Sequence, residues 1–191
     1  MAKDYTTKTA VENYLLIDID ASFDEQIIEW QEVVEQYIDH ATSRDFSVAG
    51  ETATDRVYDG DGTDTLVIDP AKEVVSVKMS ATSDALATTQ YVLYPANKTV
   101  KNKIKLLHQD FHKGNQNIVV NAKFGYEEVP KDIRFVATVL LAGIINTQWQ
   151  SEGEVQSMTI GRYQVTYKSD QQISDFNKVE EILDYNKKYT F

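Results

Sequence analysis

The stretch SEGEVQSMTIGRYQVTYK, Ser151 to Lys168, alternates in character on either side of Ile160-Gly161-Arg162 and sits between two amphipathic helical patterns. A period of two broken at a glycine predicts a polar β-hairpin over 152–168, with its turn at or near residues 160–162. Upstream, Pro130 suits a first helical position because its missing N–H has no partner to lose there. The run that follows, Ile133 to Ile145, is apolar almost all round, so this helix must be covered on most sides. Downstream, Ser174 or Asp175 is placed to cap a last helix. It turns Phe176, Val179, Ile182 and Leu183 inward and ends on Lys187 and Lys188, where cations suit the helix dipole.

Two further helices are expected near the N-terminus. Thr7 or Thr9 caps a short one carrying Val11, Tyr14 and Leu15 on one face. Ser22 with Glu25 makes a capping box for a longer one, in which Phe23, Ile27, Trp30, Val34, Tyr37 and Ala41 recur at three- and four-residue spacing up to about Thr42. From Val48 the period changes to alternation. Strands are predicted at Arg56-Val57-Tyr58, Leu66-Val67-Ile68, Val74 to Met79, Gln90 to Tyr94, Ile104 to Leu107 and Ile118 to Tyr126. The sequences Asp59-Gly60-Asp61-Gly62, Asp69-Pro70, Pro95-Ala96-Asn97 and Lys113-Gly114-Asn115 punctuate them.

The expected fold is therefore α+β. A helical bundle built from residues 1–47 and 129–191 carries the hairpin between its last two helices, and residues 48–128 form an inserted small antiparallel β-sandwich or barrel. A chain of 191 residues buries roughly 70% of the surface its unfolded form exposes. With 42% hydrophobic and 26% charged residues it has the composition of a soluble globular protein.

Net charge of -11 disfavours binding to phosphate backbones, which needs clustered Lys and Arg, and the 19 basic residues look dispersed along the chain. An acidic lining would let a duplex slide past without sticking. The absence of cysteine removes disulfides, thiolate metal sites and a thiol nucleophile, and suits synthesis in a bacterial cytoplasm. The start MAKDYTTKTAVENYLL has acids at Asp4 and Glu12 and no secretory pattern. Residues 133–145 contain Arg134 and fall short of the ~20 needed to span a bilayer, so no membrane role is expected.

Three patterns invite a chemical reading. Asp59 to Asp64 places oxygen ligands at alternate positions, as calcium loops do, but the sixth residue is Asp64 and the twelfth Pro70 where an EF-hand needs Gly and Glu. A hairpin turn is the expectation. His108 and His112, with Asp110 between them, have the spacing of a zinc helix, but Gly114-Asn115-Gln116-Asn117 follows at once, so a solvated loop is expected. Acid pairs such as Glu152 with Glu154, or Glu180 with Glu181, lie in exposed-looking stretches, with nothing to separate their pKa values. No phosphate loop or nucleophile elbow occurs, so neither an enzyme nor a cofactor is expected.

The order of motifs resembles the head-tail connector (adaptor) proteins of long-tailed bacteriophages. The resemblance begins at Tyr5-Thr6-Thr7, Val11 and Tyr14-Leu15, and passes through Arg44-Asp45-Phe46, Tyr58 to Gly62 and Leu66 to Ile68. It continues through Asn117 to Val120, Phe124-Gly125-Tyr126 and Val129 to Ile133, and closes with Ser157, Ile160-Gly161, Val165-Thr166-Tyr167 and Ile182 to Tyr185. It implies a structural virion protein: a homo-oligomeric ring, commonly dodecameric, seated beneath the portal protein at the neck. Such a ring extends the DNA channel and meets a tail-side neck or tail-terminator protein. Carried over, the C-terminal segment is the portal contact, with candidates Phe176, Val179, Ile182, Leu183, Tyr185, Lys187, Lys188, Tyr189 and Phe191. The hairpin is the intersubunit contact, with candidates Glu154, Ser157, Ile160, Gly161, Arg162, Tyr163, Val165 and Tyr167. Two other readings are a further neck or tail-completion protein, or a binding module in which Tyr58, Tyr91, Tyr94 and Tyr126 recognise a carbohydrate or host-surface protein.

Overall fold

The structure, a computed structural model, describes residues 3–148, 156–160, 163–167 and 170–187. Its elements in chain order are α1 (Lys8–Leu15), a 3-10 turn (Ala21–Phe23), α2 (Asp24–Thr42), β1 (Thr54–Gly60), β2 (Thr65–Lys78), β3 (Tyr91–Tyr94), β4 (Lys101–Leu106), β5 (Gly114–Phe124), α3 (Lys131–Gln148), β6 (Gln156–Ile160), β7 (Tyr163–Tyr167) and α4 (Asp170–Tyr185). The described residues form four α-helices and a five-stranded antiparallel sheet, so the class is α+β. The chain forms two compact units, Met1–Ser47 with Val129–Phe191, and Val48–Glu128.

The helical unit is organised by α3. Ile133, Val136, Ala137, Val139, Leu140, Leu141, Ala142, Ile144 and Ile145 are all at most 1% exposed, so the helix is buried on every side along its middle turns. Helices α1, α2 and α4 and strand β7 supply the cover. Each Val, Leu or Ile among them contributes about 1.5–3 kcal/mol when removed from water. Pro130 precedes the helix, and its carbonyl accepts the first helical bond, from the Arg134 N–H at 2.9 Å.

Capping departs from the expectation at two helices. Thr7 does cap α1, accepting the Ala10 N–H at 3.2 Å. Ser22 does not cap α2. Asp20 accepts the Ser22 N–H at 2.8 Å and opens the 3-10 turn, which runs into α2 through Phe23 with no side-chain cap of its own. The turn bonds the Asp24 N–H to the Ala21 carbonyl and takes Asp20 as its cap in place of Ser22, so the expected capping box does not open α2. Helix α4 starts at Asp170, earlier than a cap at Ser174 or Asp175 implies, and Lys187 lies just past its last turn.

Residues 3–6 strap the N-terminus onto this unit. The two carboxylate oxygens of Glu35, which is 3% exposed, accept the Lys3 and Tyr5 backbone N–H groups at 2.8 and 3.1 Å. Tyr5, fully buried, donates its hydroxyl to Asp39 at 2.7 Å, accepts the Phe46 N–H at 2.7 Å and meets the Phe46 ring edge-on. Lys3 pairs with Asp39 at 2.5 Å and Asp45 at 3.0 Å. Thr138 donates its hydroxyl to the Arg134 carbonyl at 2.8 Å, so the 2.7 Å bond between Thr6 and Thr138 must run from Thr6.

The sheet unit has strand order β1-β5-β2-β4-β3. Leu66-Val67-Ile68 and Val74 to Met79, expected as two strands parted by a turn at Asp69-Pro70, belong largely to the single long strand β2. The first part of β2 pairs with β4 and the second with β5, and Ala71 is in register with both Lys101 and Phe124. Pro70, unable to donate, sits where the register slips between Val67 and Ala71, and its carbonyl accepts the Gly125 N–H at 2.7 Å. The proline thus marks a corner within a strand and not the end of one. Leu66, Ile68, Val77, Ile104, Leu106, Phe111, Ile118 and Val120 form the core on one face.

Candidate functional site

Helix α4 uses part of its apolar stripe within its own chain. Val179 and Leu183 are 0% and 4% exposed, while Phe176 and Ile182 are half-buried. Polar ties hold its interior and its C-terminal end. Tyr14 donates to Asp175 at 3.2 Å, where burial and the carboxylate push the tyrosine pKa up, and Asn186, just past the last turn, donates to Asp132 at 2.9 Å. Tyr185 points the opposite way and is 86% exposed. Lys187 pairs with Asp184. Lys188, Tyr189 and Phe191 lie outside the described residues. Of the portal-contact candidates, then, Val179 and Leu183 belong to the core and Tyr185 is presented at the surface.

Strands β6 and β7 pair antiparallel with Ser157 opposite Thr166, Met158 opposite Val165 and Ile160 opposite Tyr163. Strand β7 lies along α3 and also meets α4, and β6 meets α2, so the hairpin covers the helical core of its own unit. Ser157, Ile160, Tyr163, Val165 and Tyr167 are therefore brought together on one ribbon, while Glu154, Gly161 and Arg162 lie outside the described residues.

The loop at Asp59 to Asp64 is not a hairpin turn, because β1 and β2 are separated in the sheet by β5. Its carboxylates are engaged by their surroundings. Asp59 accepts the Gln116 N–H at 2.5 Å, Asp61 accepts the Thr63 N–H and hydroxyl at 2.9 and 2.7 Å, and Asp64 faces Lys105 at 3.1 Å. These contacts hold the Asp61 and Asp64 carboxyls below their ordinary pKa, led by the Thr63 and Thr65 hydroxyls. Gly60 is required at the loop, since a Cβ there would stand 1.9 Å from the His112 carbonyl oxygen. His108 and His112 lie in an exposed, non-helical segment anchored by Phe111, which is 1% exposed. Among the described residues no group of three or more His, Asp or Glu is placed to hold a metal ion.

The four tyrosines offered as a recognition surface do not make one platform. Tyr91 is 6% exposed, Tyr126 is half-buried, and half-buried Tyr58 is bonded to Asp69. Only Tyr94, at 42%, shows much of its ring.

A surface that the sequence reading passed over lies on the outer face of β2, β4 and β3. In β4 the residues Ile104 and Leu106 turn to the core, so Lys101, Lys103 and Lys105 share the opposite face. Val67 and Tyr94 flank Lys103 in register, and Thr65 and Val92 flank Lys105. Val67 is 59% exposed. Lys105 has Asp64 as partner and Lys101 donates to the carbonyls of Pro95 and Ala96 at 2.8 and 3.1 Å, whereas Lys103 projects between Val67 and Tyr94. The basic residues are thus less dispersed than their spacing suggests. The signal was the alternation Lys101-Asn102-Lys103-Ile104-Lys105-Leu106.

No protein family matches the chain, and no curated protein does. Among solved structures, a chain from the neck of an empty gene transfer agent (GTA) particle, computed with C6 symmetry, resembles it with a TM-score of 0.58 at 10% identity, over 99% of this chain and 92% of that one. At that identity the likeness is one of fold, and it takes in the helices, the inserted sheet and the hairpin together.

Proposed function

We propose that the chain is a structural neck protein of a phage-like particle, a head-tail connector that forms a ring beneath the portal, extends the DNA path and offers a platform to the tail. It acts without catalysis, and DNA passes without sequence-specific contact. The observation that carries the reading is the extent of the fold likeness: nearly the whole of both chains is matched, including the sheet between α2 and α3. A ring of six or of twelve copies is compatible with the sixfold symmetry of that neck. The same reading gives the site of action as the virion neck, with a portal on one side and a neck or tail-terminator protein on the other.

The C-terminal end of α4 supports a portal contact. Buried Val179 and Leu183 and the Asn186 tie fix where the helix ends, and exposed Tyr185 begins a tail whose last residues include Lys188, Tyr189 and Phe191. Aromatic residues next in sequence to a fixed helix end are suited to a partner pocket. The hairpin β6–β7 is the second contact, its inner side on α3 and its outer side toward a neighbouring copy. Free chains of net charge -11 repel one another, so the isolated protein is expected to be a monomer or weak oligomer that closes into a ring on the portal.

Deleting Asp184 to Phe191 tests the reading. Circular dichroism should show a folded subunit, portal attachment should be lost, and DNA-filled heads without tails should accumulate. Normal joining of the truncated chain to the portal would overturn the portal assignment, and a reconstruction lacking the chain at the neck would overturn the whole.

A further inference from the structure

Charge is segregated along this chain. No Lys or Arg lies between Lys8 and Arg44, a span with nine acidic residues, and no Asp or Glu lies between Asp84 and Asp110, a span with four lysines. The fold places a projecting apolar group beside each kind of charge. In the acidic span, Leu16 closes α1 in the left-handed region at φ 56° and is 89% exposed. Glycine or asparagine normally fills such a position, and a leucine there gains nothing from its own chain. Ile17 beside it is 39% exposed. The loop is nevertheless ordered: Ile19 is buried, and the N–H groups of Ile17 and Ile19 bond to the Glu12 carbonyl and carboxylate at 3.2 and 3.1 Å. Asp18 and Asp20 flank Ile19 and are exposed. In the basic span, the outer face of β2, β4 and β3 offers Val67 and Tyr94 on either side of Lys103.

We propose that these two surfaces are halves of one contact between copies of this chain, in which the Leu16–Asp20 loop of one copy docks on the Val67–Lys103–Tyr94 face of the next. Leu16 and Ile17 cover the exposed apolar side chains, and exposed Asp18 meets Lys103, the β4 lysine that projects between Val67 and Tyr94. The halves are unlike, so the contact runs head to tail, the kind that generates rings or filaments and not two-fold dimers. A second copy fits the face better than nucleic acid does. Two of its three β4 lysines already have partners, and the remaining surface is as much apolar as cationic, whereas a phosphate backbone is held by several unpaired cations. The proposal rests on the ring reading for its biological setting and names the surface through which neighbours meet.

Because the chain has no cysteine, site-directed disulfides report the contact directly. Under mild oxidation the double variant Leu16→Cys/Val67→Cys of the full chain should give a ladder of linked multimers. A mixture of the two single variants should stop at dimers, and each single variant alone should give neither. Both positions are exposed, and circular dichroism of each variant should match the parent. Lys103→Glu and Asp18→Lys should each weaken association roughly tenfold, and mixing or combining them should restore it. A ring that assembles in the particle without these cross-links, or charge reversal without rescue, would overturn this surface and leave the ring standing. Absence of any ring at the neck would remove both. If Lys103→Glu releases double-stranded DNA retained by the parent chain and leaves association unchanged, the face serves nucleic acid and the proposal fails.

Discussion

In the helical unit α3 hides apolar residues on all sides of three successive turns, while in the sheet unit every second residue of β4 faces solvent. The charge differs as well: the helical unit holds 19 acidic and 10 basic residues, the sheet unit 11 and 9. A helix wrapped by three others and a strand has its surface committed to one chain. A single sheet with its core on one face leaves parts of the other face open, and Val57, Val67 and Val75, each more than half exposed, stand on strands β1 and β2 of that unit. The contrast teaches where to seek contacts: among the described residues of the helical unit at single exposed groups, Leu16, Ile17, Ile28 and Tyr185, and in the sheet unit across a face.

The largest effect is expected where the two cores are cut separately. Leu140→Ala should cost about 2–5 kcal/mol in the helical unit, because α3 has neighbours on every side and none can collapse into the void. Ile104→Ala should cost a comparable ~2–5 kcal/mol in the sheet unit. Hydrogen exchange resolved by segment is the measurement. If Leu140→Ala loosens β4 and β5 as much as α2 and α4, the units share one core and the contrast breaks.

The N-terminal strap gives the next effect. Burial raises the Glu35 pKa, outweighing the Lys3 and Tyr5 N–H groups that lower it. A carboxyl whose pKa is raised on folding contributes most stability below its unfolded pKa, and that contribution is lost as pH rises through its folded value. Glu35→Gln should cost about 1–3 kcal/mol at neutral pH, since an amide has one acceptor where two N–H groups need one each. The advantage of the parent over this variant should grow as pH falls from neutrality into the acid range, read from paired denaturant titrations. Asp45, present in both proteins, has the opposite dependence and cancels in the paired difference. Burial works to raise its pKa, but the Ser47 hydroxyl and N–H and Lys3 hold it below the ordinary value, so its contribution is present above the unfolded pKa and fades as pH drops. A pH-independent difference between parent and variant would show that the Lys3 and Tyr5 N–H groups offset the burial of Glu35 and that its pKa is not raised on folding.

Much of the helical unit was legible in the sequence, because a stripe of period 3.6 in α2 and an unbroken apolar run in α3 leave little choice of element. Even there the buried stripe of α2 is Ile27, Trp30, Val34, Ile38 and Thr42, shifted from Tyr37 and Ala41 in its last turns, and Glu35 joins it because the strap supplies two amide donors from thirty residues away. Strand positions were legible too, but pairing was not. Asp59-Gly60 has the composition of a hairpin turn, yet the partners that decide its role are Gln116 and Asn117 on β5, far along the chain. Pro70 breaks the alternation locally although β2 continues through it. The lysine face needs both the alternation within β4 and the register that sets Val67 and Tyr94 beside it, and only the first is written in consecutive residues.

The smallest effect on stability is expected at Leu16, and it tests the contrast most sharply. The residue is the helical unit's largest departure from its own pattern: a branched apolar side chain in the left-handed region, 89% exposed. The left-handed conformation costs an L-residue about 1–2 kcal/mol, and glycine avoids most of that at the expense of a more flexible unfolded chain worth roughly 0.5–1 kcal/mol. Leu16→Gly should therefore leave the subunit as stable as the parent or more stable by up to ~1 kcal/mol. If the side chain exists to meet a neighbour, the same variant should assemble less well while melting no lower, a separation that loss of internal packing cannot produce. Melting temperature and sedimentation of one preparation decide it. A variant that melts several degrees below the parent would mean that Leu16 packs within its own chain and is no exception to the pattern of the helical unit.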